Sequence, residues 1–205
     1  MAGQAIGVPE GHYFDAEPTV ASNRRTVPLV LPDLNVTLTT DRGVFARDAV
    51  DPGTKLLLLD GPPPPAQGDL LDLGCGYGPI AVALARRAPG ARVWAVDVNR
   101  RALELCAANA EEADVEVRTA TPDAIPAGVQ FAGIWSNPPV RIGKAALHDL
   151  LSTWLDRLAP DGRAALVVHR HLGADSLARW LDQQGWPTTR LGSRMGYRLL
   201  EVRPR

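Results

Sequence analysis

The stretch Leu70-Leu71-Asp72-Leu73-Gly74-Cys75-Gly76-Tyr77-Gly78-Pro79 constrains the fold of this chain more than any other. An apolar run ends in an acid, an alternating Gly-x-Gly-x-Gly loop follows, and a second apolar run, Ile80 to Ala88, continues with helical character. This is a strand, a tight turn and a helix, the opening unit of an α/β sheet. Glycines at such a turn let the backbone take positive φ and let a ligand approach without meeting Cβ atoms. The loop N–H groups and the helix N-terminus then face that ligand. A dinucleotide fingerprint would have Gly-x-Gly-x-x-Gly with an apolar residue at position 72, because it cradles an anionic pyrophosphate. Asp72 instead suits a cationic group.

A second acid extends the reading. Arg92-Val93-Trp94-Ala95-Val96-Asp97 is the next strand, and an acid about 20 residues past the glycines is the expected partner of a ribose diol. A ribose beside a cation describes S-adenosylmethionine, with its ammonium and sulfonium groups. Asp72, Gly74, Gly76, Gly78 and Asp97, with the adjoining Val98, are therefore candidate cofactor residues. Strand-end solvation or helix capping is the plainer role for either acid alone. The pair at this spacing favours the ligand.

The third element decides the chemistry. Phe131 to Ser136 is a strand, terminated by Asn137-Pro138-Pro139-Val140. Two prolines fix φ and remove two donors, and a residue before proline is pushed out of the helical region. The result is a rigid corner at the carboxyl end of a strand, where open α/β sheets bind ligands. The Asn137 side-chain oxygen and the Pro138 carbonyl are expected to converge as acceptors on an exocyclic amine. A planar amine is a poor nucleophile, so placement and hydrogen bonding must supply most of the catalysis.

With these residues in hand, the chain resembles the class I S-adenosylmethionine-dependent methyltransferases. More narrowly, it is similar to the catalytic domain of the ribosomal RNA guanine-N2 methyltransferases of the RsmC type. Thr40-Asp41-Arg42-Gly43-Val44-Phe45, the glycine motif, Ser136 to Lys144, and Leu172-Gly173-Ala174-Asp175-Ser176-Leu177 carry the resemblance, which spans His12 to Val202. The glycine motif marks the superfamily, the Asn-Pro-Pro corner marks transfer to amino nitrogens, and the first and last pieces point to the narrower family. The resemblance implies catalysis by Asn137, Pro138 and Pro139, and it offers Asp123, after the third strand, for the adenine amine. Val140, Arg141, Lys144, Arg170 and Phe45 are candidates for substrate contact. Many amino-methyltransferases place an aromatic residue where Val140 stands, which argues against adenine and glutamine targets. The larger relatives carry a second, inert copy of the domain, and RNA docking by such a copy is not carried over. Tyr13 and Phe14 are read as packing residues.

The same resemblance implies a seven-stranded, mostly parallel Rossmann-like sheet of order 3-2-1-4-5-7-6, with helices on both faces. The alternation of strands and helices from Asp69 onward agrees with it. The sheet domain is expected over residues 66–205. Residues 1–61 are read as an N-terminal extension packed on the core, with a β-hairpin over Thr26–Leu31 and Val36–Thr39. Lys55–Leu59 is helical or extended, and Pro62-Pro63-Pro64-Pro65 is a stiff spacer. In the helix expected over 144–158, Leu147, Leu150, Leu151, Trp154, Leu155 and Leu158 share one apolar face. The segment from Thr121 to Gln130 is too short for a crossover helix.

Composition is that of an ordinary soluble domain: 205 residues, 45% hydrophobic and 22% charged. Cys75 and Cys106 have no metal-ligand spacing and suggest a reducing compartment rather than a disulfide framework. No metal site is visible, and neither a signal region nor a membrane-spanning run is present, so a cytoplasmic protein is expected. The net charge of −1 gives no support for a nucleic-acid partner, but residues 163–205 hold eight Arg against three Asp/Glu, a patch able to steer a polyanion. The expectation is a methyltransferase acting on a guanine in small-subunit ribosomal RNA, free or in the subunit, as a monomer or weak homodimer. A protein-glutamine or small-molecule N-methyltransferase is the alternative, with a non-catalytic RNA-binding copy of the fold behind it.

Overall fold

The computed structural model describes residues 17–205, so Tyr13 and Phe14 lie outside the described residues. A hairpin of β1 (Arg25–Leu31) and β2 (Leu34–Thr40) comes first, then α1 (Pro52–Asp60). The alternating unit follows as β3 (Gly68–Leu73), α2 (Pro79–Arg87), β4 (Ala91–Val96), α3 (Arg100–Glu112), β5 (Val117–Ala120) and β6 (Phe131–Ser136). It closes with α4 (Lys144–Leu155), β7 (Leu158–His169), α5 (Ala174–Gln183), β8 (Thr188–Arg194) and β9 (Tyr197–Val202). Between β5 and β6 there is only the 3₁₀ turn Pro122–Ala124, as the short, proline-rich segment requires.

The seven strands from β3 onward form one sheet in the order β5-β4-β3-β6-β7-β9-β8. Strands β3 to β7 run parallel, and β9 is antiparallel to both its neighbours. This is the order expected from the resemblance. Successive side chains on a strand face opposite sides. Leu70 and Trp135 therefore join a core with α1, α2, α3 and the hairpin, whereas Leu71, Leu73 and Ile134 join a second core with α4 and α5. Gly133 makes room for the buried Trp135 ring, since a Cβ there would lie 2.3 Å from it.

Lys55–Leu59 resolves as part of helix α1. Pro52 is pre-set for the first helical turn, and the Asp51 carboxylate accepts the Gly53 and Thr54 N–H groups. Helix α4 ends earlier than the periodicity predicts. Leu158 is not on its apolar face but opens β7, opposite Phe131. The Arg157 N–H bonds the Trp154 carbonyl and the Phe131 N–H bonds the Arg157 carbonyl, so the chain turns directly from helix into sheet. Among the described residues, no helix is long and apolar enough to cross a membrane.

The hairpin stays a separate two-stranded sheet, yet it is fastened to the core. Leu29, Leu31, Leu34 and Leu38 are buried with α2 and α3. Asn109 of α3 makes the polar link. Its Oδ1 accepts the Thr39 N–H at 2.7 Å, and its Nδ2 donates to the Thr39 and Tyr77 carbonyls at 2.8 Å each. One buried amide thus joins the hairpin to the glycine loop. Asn109→Ala would strand three polar groups, and a loss of about 2–4 kcal/mol is expected. Urea unfolding should show it as a lower midpoint with an unchanged slope.

Candidate active site

The carboxyl ends of β3, β4, β6 and β7 meet under a cavity of about 500 Å³, within the range of small-molecule sites. Its floor is the glycine loop. The Gly74 and Cys75 N–H groups both bond the Val96 carbonyl, at 2.8 and 3.0 Å, which ties the loop to the neighbouring strand. Gly74 and Gly76 have φ of 75° and 53°. A Cβ on Gly76 would meet nothing within 4 Å, so the space beside it is free for a ligand. Gly78 differs from the other two. It does not line the cavity, and a Cβ there would sit 2.5 Å from the Cys106 sulfur. Its absent side chain lets α2 and α3 approach.

Two acids flank this loop as the spacing predicts, in different settings. Asp97 lines the cavity. Its carboxylate accepts the Gly76 N–H at 2.9 Å and the Asn99 N–H at 3.0 Å, while burial pushes its pKa up. Asp72 lies behind the loop and is wholly buried. One oxygen accepts the Ala81 N–H at 2.9 Å; the other, Oδ1, has no protein partner. Burial pushes the Asp72 carboxyl up to about 8 against the pull of the Ala81 N–H, and the Asp97 charge adds to the rise. Val98 lines the cavity as expected. Asp123 is exposed and does not line it, although the adjoining Pro122 does; a hydrogen bond with Thr121 holds the Asp123 carboxyl below its usual range.

Opposite the loop stands the Asn137-Pro138-Pro139 corner. The Ser136 hydroxyl donates to the Leu73 carbonyl at 2.6 Å, locking the ends of β6 and β3 together. Both prolines and Asn137 line the cavity. The Asn137 Nδ2 donates to Asp51 Oδ1 at 2.8 Å and to Thr54 Oγ1 at 3.1 Å. Its two amide protons are thereby used, and Oδ1 is the polar atom left for a ligand. The Pro138 carbonyl accepts the Val140 N–H at 2.8 Å, which leaves it one lone pair rather than two.

Of the residues expected to touch substrate, Val140, Arg141 and Phe45 line the cavity. Val140 and Arg141 sit in the 3₁₀ turn Val140–Ile142. Lys144, at the start of α4, and Arg170, in the turn Arg170–Leu172, are exposed and outside the lining. The sequence reading missed Asp51, His169 and Tyr197, all of which line the cavity. Asp51 carries a signal in hindsight, because Asp-Pro-Gly-Thr is a helix start. His169 and Tyr197 become neighbours only through the antiparallel pairing of β7 with β9. Among the described residues, no group of three or more His, Cys, Asp or Glu is arranged to hold a metal ion.

A cavity with two acids in its wall, a third behind its floor and a proline-braced amide above it fits a cationic ligand beside an amine. Comparison with known proteins agrees. The family model for the methyltransferase small domain matches residues 35–201. The chain belongs to that family. It is 32% identical to the uncharacterised protein YbxB of Bacillus subtilis, over 94% of this chain and 98% of that one. It is also 32% identical to ribosomal RNA small subunit methyltransferase C of Shewanella amazonensis, over 84% of this chain and 50% of the relative. Among solved structures, the 16S rRNA N2 methyltransferase RsmC of T. thermophilus, in complex with AdoMet and guanosine, superposes with a TM-score of 0.78 at 25% identity. That match covers 92% of this chain and 52% of the other. The chain thus spans about half the length of these methyltransferase C relatives and nearly all of YbxB.

The buried acid of this methyltransferase has a consequence for stability. The folded Asp72 carboxyl binds its proton more tightly than the unfolded one, whose pKa is 3.8. Between roughly pH 4 and 8 the folded state therefore holds more proton, and the unliganded protein loses stability as the pH rises through that window. Asp72→Asn should stabilise the unliganded protein at pH 8, by a few kcal/mol at most, and hardly at all at pH 4.5. Thermal melts of both proteins at the two pH values check this.

Proposed function

We propose that this methyltransferase transfers a methyl group from S-adenosylmethionine to the N2 amine of a guanine in small-subunit ribosomal RNA, in the cytoplasm. The observation that carries the reading is the Asn137 amide, whose donors are tied inside the protein and whose oxygen is the polar atom left for a ligand. The relation to the methyltransferase C proteins, one of them solved with AdoMet and guanosine, supports the choice of target.

The residues fit this cofactor. The open backbone at Gly74 and Gly76 admits a ligand, and the unpartnered Asp72 Oδ1 and the wall of acids suit its positive charge. Asp72 with Gly74 and Gly76 would hold the amino-acid end, while Gly78 serves by packing. Asp97 would take the ribose, with Val98 against the adenine; Asp123, exposed and outside the lining, is the candidate for the adenine amine only if the ligand extends past Pro122. When bound, S-adenosylmethionine supplies an electrophilic methyl group on a sulfonium.

The chain's own part is placement. Asn137 Oδ1 and the remaining lone pair of the Pro138 carbonyl accept the two amine protons, and Pro139 keeps the corner rigid. Held so, the nitrogen forms its bond to carbon as the carbon–sulfur bond breaks, leaving a neutral thioether. The proton then leaves the cationic nitrogen for water, so no strong base is required. Val140 and Phe45 bound the flat base, and Arg141, Lys144 and Arg170 supply phosphate contacts. A paired base must first leave its stack.

Removing this gene should delete one N2-methylguanosine from the ribosomal RNA, measured by mass mapping of nucleosides. Purified protein with labelled cofactor should restore it on RNA or on the subunit. Label in a protein fraction instead would move the target to glutamine. Asn137→Ala should leave cofactor affinity nearly intact and lower turnover about 10²–10³-fold. Wild-type turnover in that variant would reduce the corner to a turn.

A further inference from the structure

Asp51 stands ahead of the sheet, at the start of α1, in a segment read from sequence as an extension. Its Oδ1 accepts three N–H groups: Gly53 at 2.8 Å, Thr54 at 3.1 Å, and the Asn137 side chain at 2.8 Å. The first two are ordinary helix capping, which Ser, Thr or Asn would serve as well. The third comes from the substrate corner, 86 residues away in sequence. The Tyr197 hydroxyl lies 3.4 Å from Oδ2, and the Tyr197 ring is so close to α1 that a Cβ on Gly53 would stand 2.5 Å from it. The first turn of α1, the end of β6 and the start of β9 are thus joined at one carboxylate.

We infer that Asp51 is the positioning residue of the active site: its carboxylate fixes which way round the Asn137 amide lies. This rests on the reading of Asn137 as the group that holds the amine. An asparagine amide has a donor end and an acceptor end of nearly equal size, and a neutral setting discriminates weakly between them. A carboxylate can only accept. With the amide reversed, two oxygens would face each other at about the 2.8 Å now spanned by a hydrogen bond. The Thr54 hydroxyl can donate or accept, so it tolerates either orientation, and the decision falls to Asp51. A charged acceptor on Nδ2 also strengthens the opposite oxygen as an acceptor, since hydrogen bonds in a chain polarise one another. Segment 41–51 and α1 therefore complete the catalytic site.

The test separates capping from orientation. Asp51→Ser keeps a good helix cap but is too short to reach Asn137. Turnover should fall about 10- to 100-fold, the cofactor Kd should stay within about twofold, and the melting temperature should hardly move. Asp51→Asn, which keeps the acceptor without the charge, should fall between Ser and wild type. In the Asn137→Ala background, Asp51→Ser should cost no more than about a further twofold, because both changes remove one device. Wild-type turnover in Asp51→Ser, or losses that multiply in the double variant, would overturn the assignment and leave Asp51 a plain cap. If the Ser variant does not fold, the Asn variant decides in the same cycle. The ¹⁵N resonance of the Asn137 side-chain amide, identified by its absence in Asn137→Ala, needs no substrate. A shift in Asp51→Ser or Asp51→Asn supports the link, and an unmoved resonance refutes it. Should the wild type methylate no RNA while that resonance shifts, the choice of target fails and the positioning role stands.

Discussion

One carboxylate sits where a soluble protein would ordinarily avoid placing a charge. Asp72 is wholly buried near the end of β3, with one oxygen bonded to the Ala81 N–H and the other without a partner. Burying an uncompensated charge costs several kcal/mol, and the unliganded protein meets that cost by holding the carboxyl protonated to about pH 8. Leu70, Leu71 and Leu73 pack into both cores around it, so it has no access to water. In the proposed function, what remains unsatisfied is met by a ligand that carries its own positive charge. The glycine loop, the Asp97 clamp on the Gly76 N–H and the tight meeting of α2 and α3 at Gly78 all hold that mismatch in place.

The second organising feature is convergence. The loop, the proline corner and the hairpin come from distant parts of the sequence, and three side-chain amides, two buried and one half-buried, draw them together. Asn109 joins the edge of β2 to the Tyr77 carbonyl. Asn99 reaches the Gly43 carbonyl at 2.8 Å, holding the segment that brings Phe45 to the cavity. Asn137 reaches Asp51. Each amide donates to a group the backbone or a helix cap already positions, so the site inherits the rigidity of the cores beneath it.

Much of this was legible in the sequence because it is local. The glycine loop, the strand-end acids and the Asn-Pro-Pro corner each express their geometry within ten residues, and the strand order followed from the resemblance those motifs carry. The hidden parts depend on tertiary pairing. Asp51 reads as a helix cap until α1 is packed against β6, and Tyr197 and His169 share a cavity wall only once β9 turns antiparallel beside β7. Leu158 was misplaced because an apolar residue one turn beyond a helix fits the helical period as well as it fits the strand that follows. Lys144, just after the proline corner, and Arg170, at the end of β7, stand exposed outside the cavity lining, where a contact would be to the phosphates of a long substrate and not to the base.

The central claim is that the cofactor completes a buried carboxylate, and calorimetry of S-adenosylmethionine binding tests it most directly. A cation seated against Asp72 favours the ionised form, so at pH 7 binding should release a proton from a group whose pKa is about 8 in the free protein. The measured enthalpy should then depend on the ionisation enthalpy of the buffer, and affinity should rise between pH 6 and 8. Both effects should vanish in Asp72→Asn, which corrects for any titration of the ligand itself. Identical proton release in wild type and Asp72→Asn, with unchanged affinity, would show that Asp72 is a structural acid and that the cofactor is held by other groups.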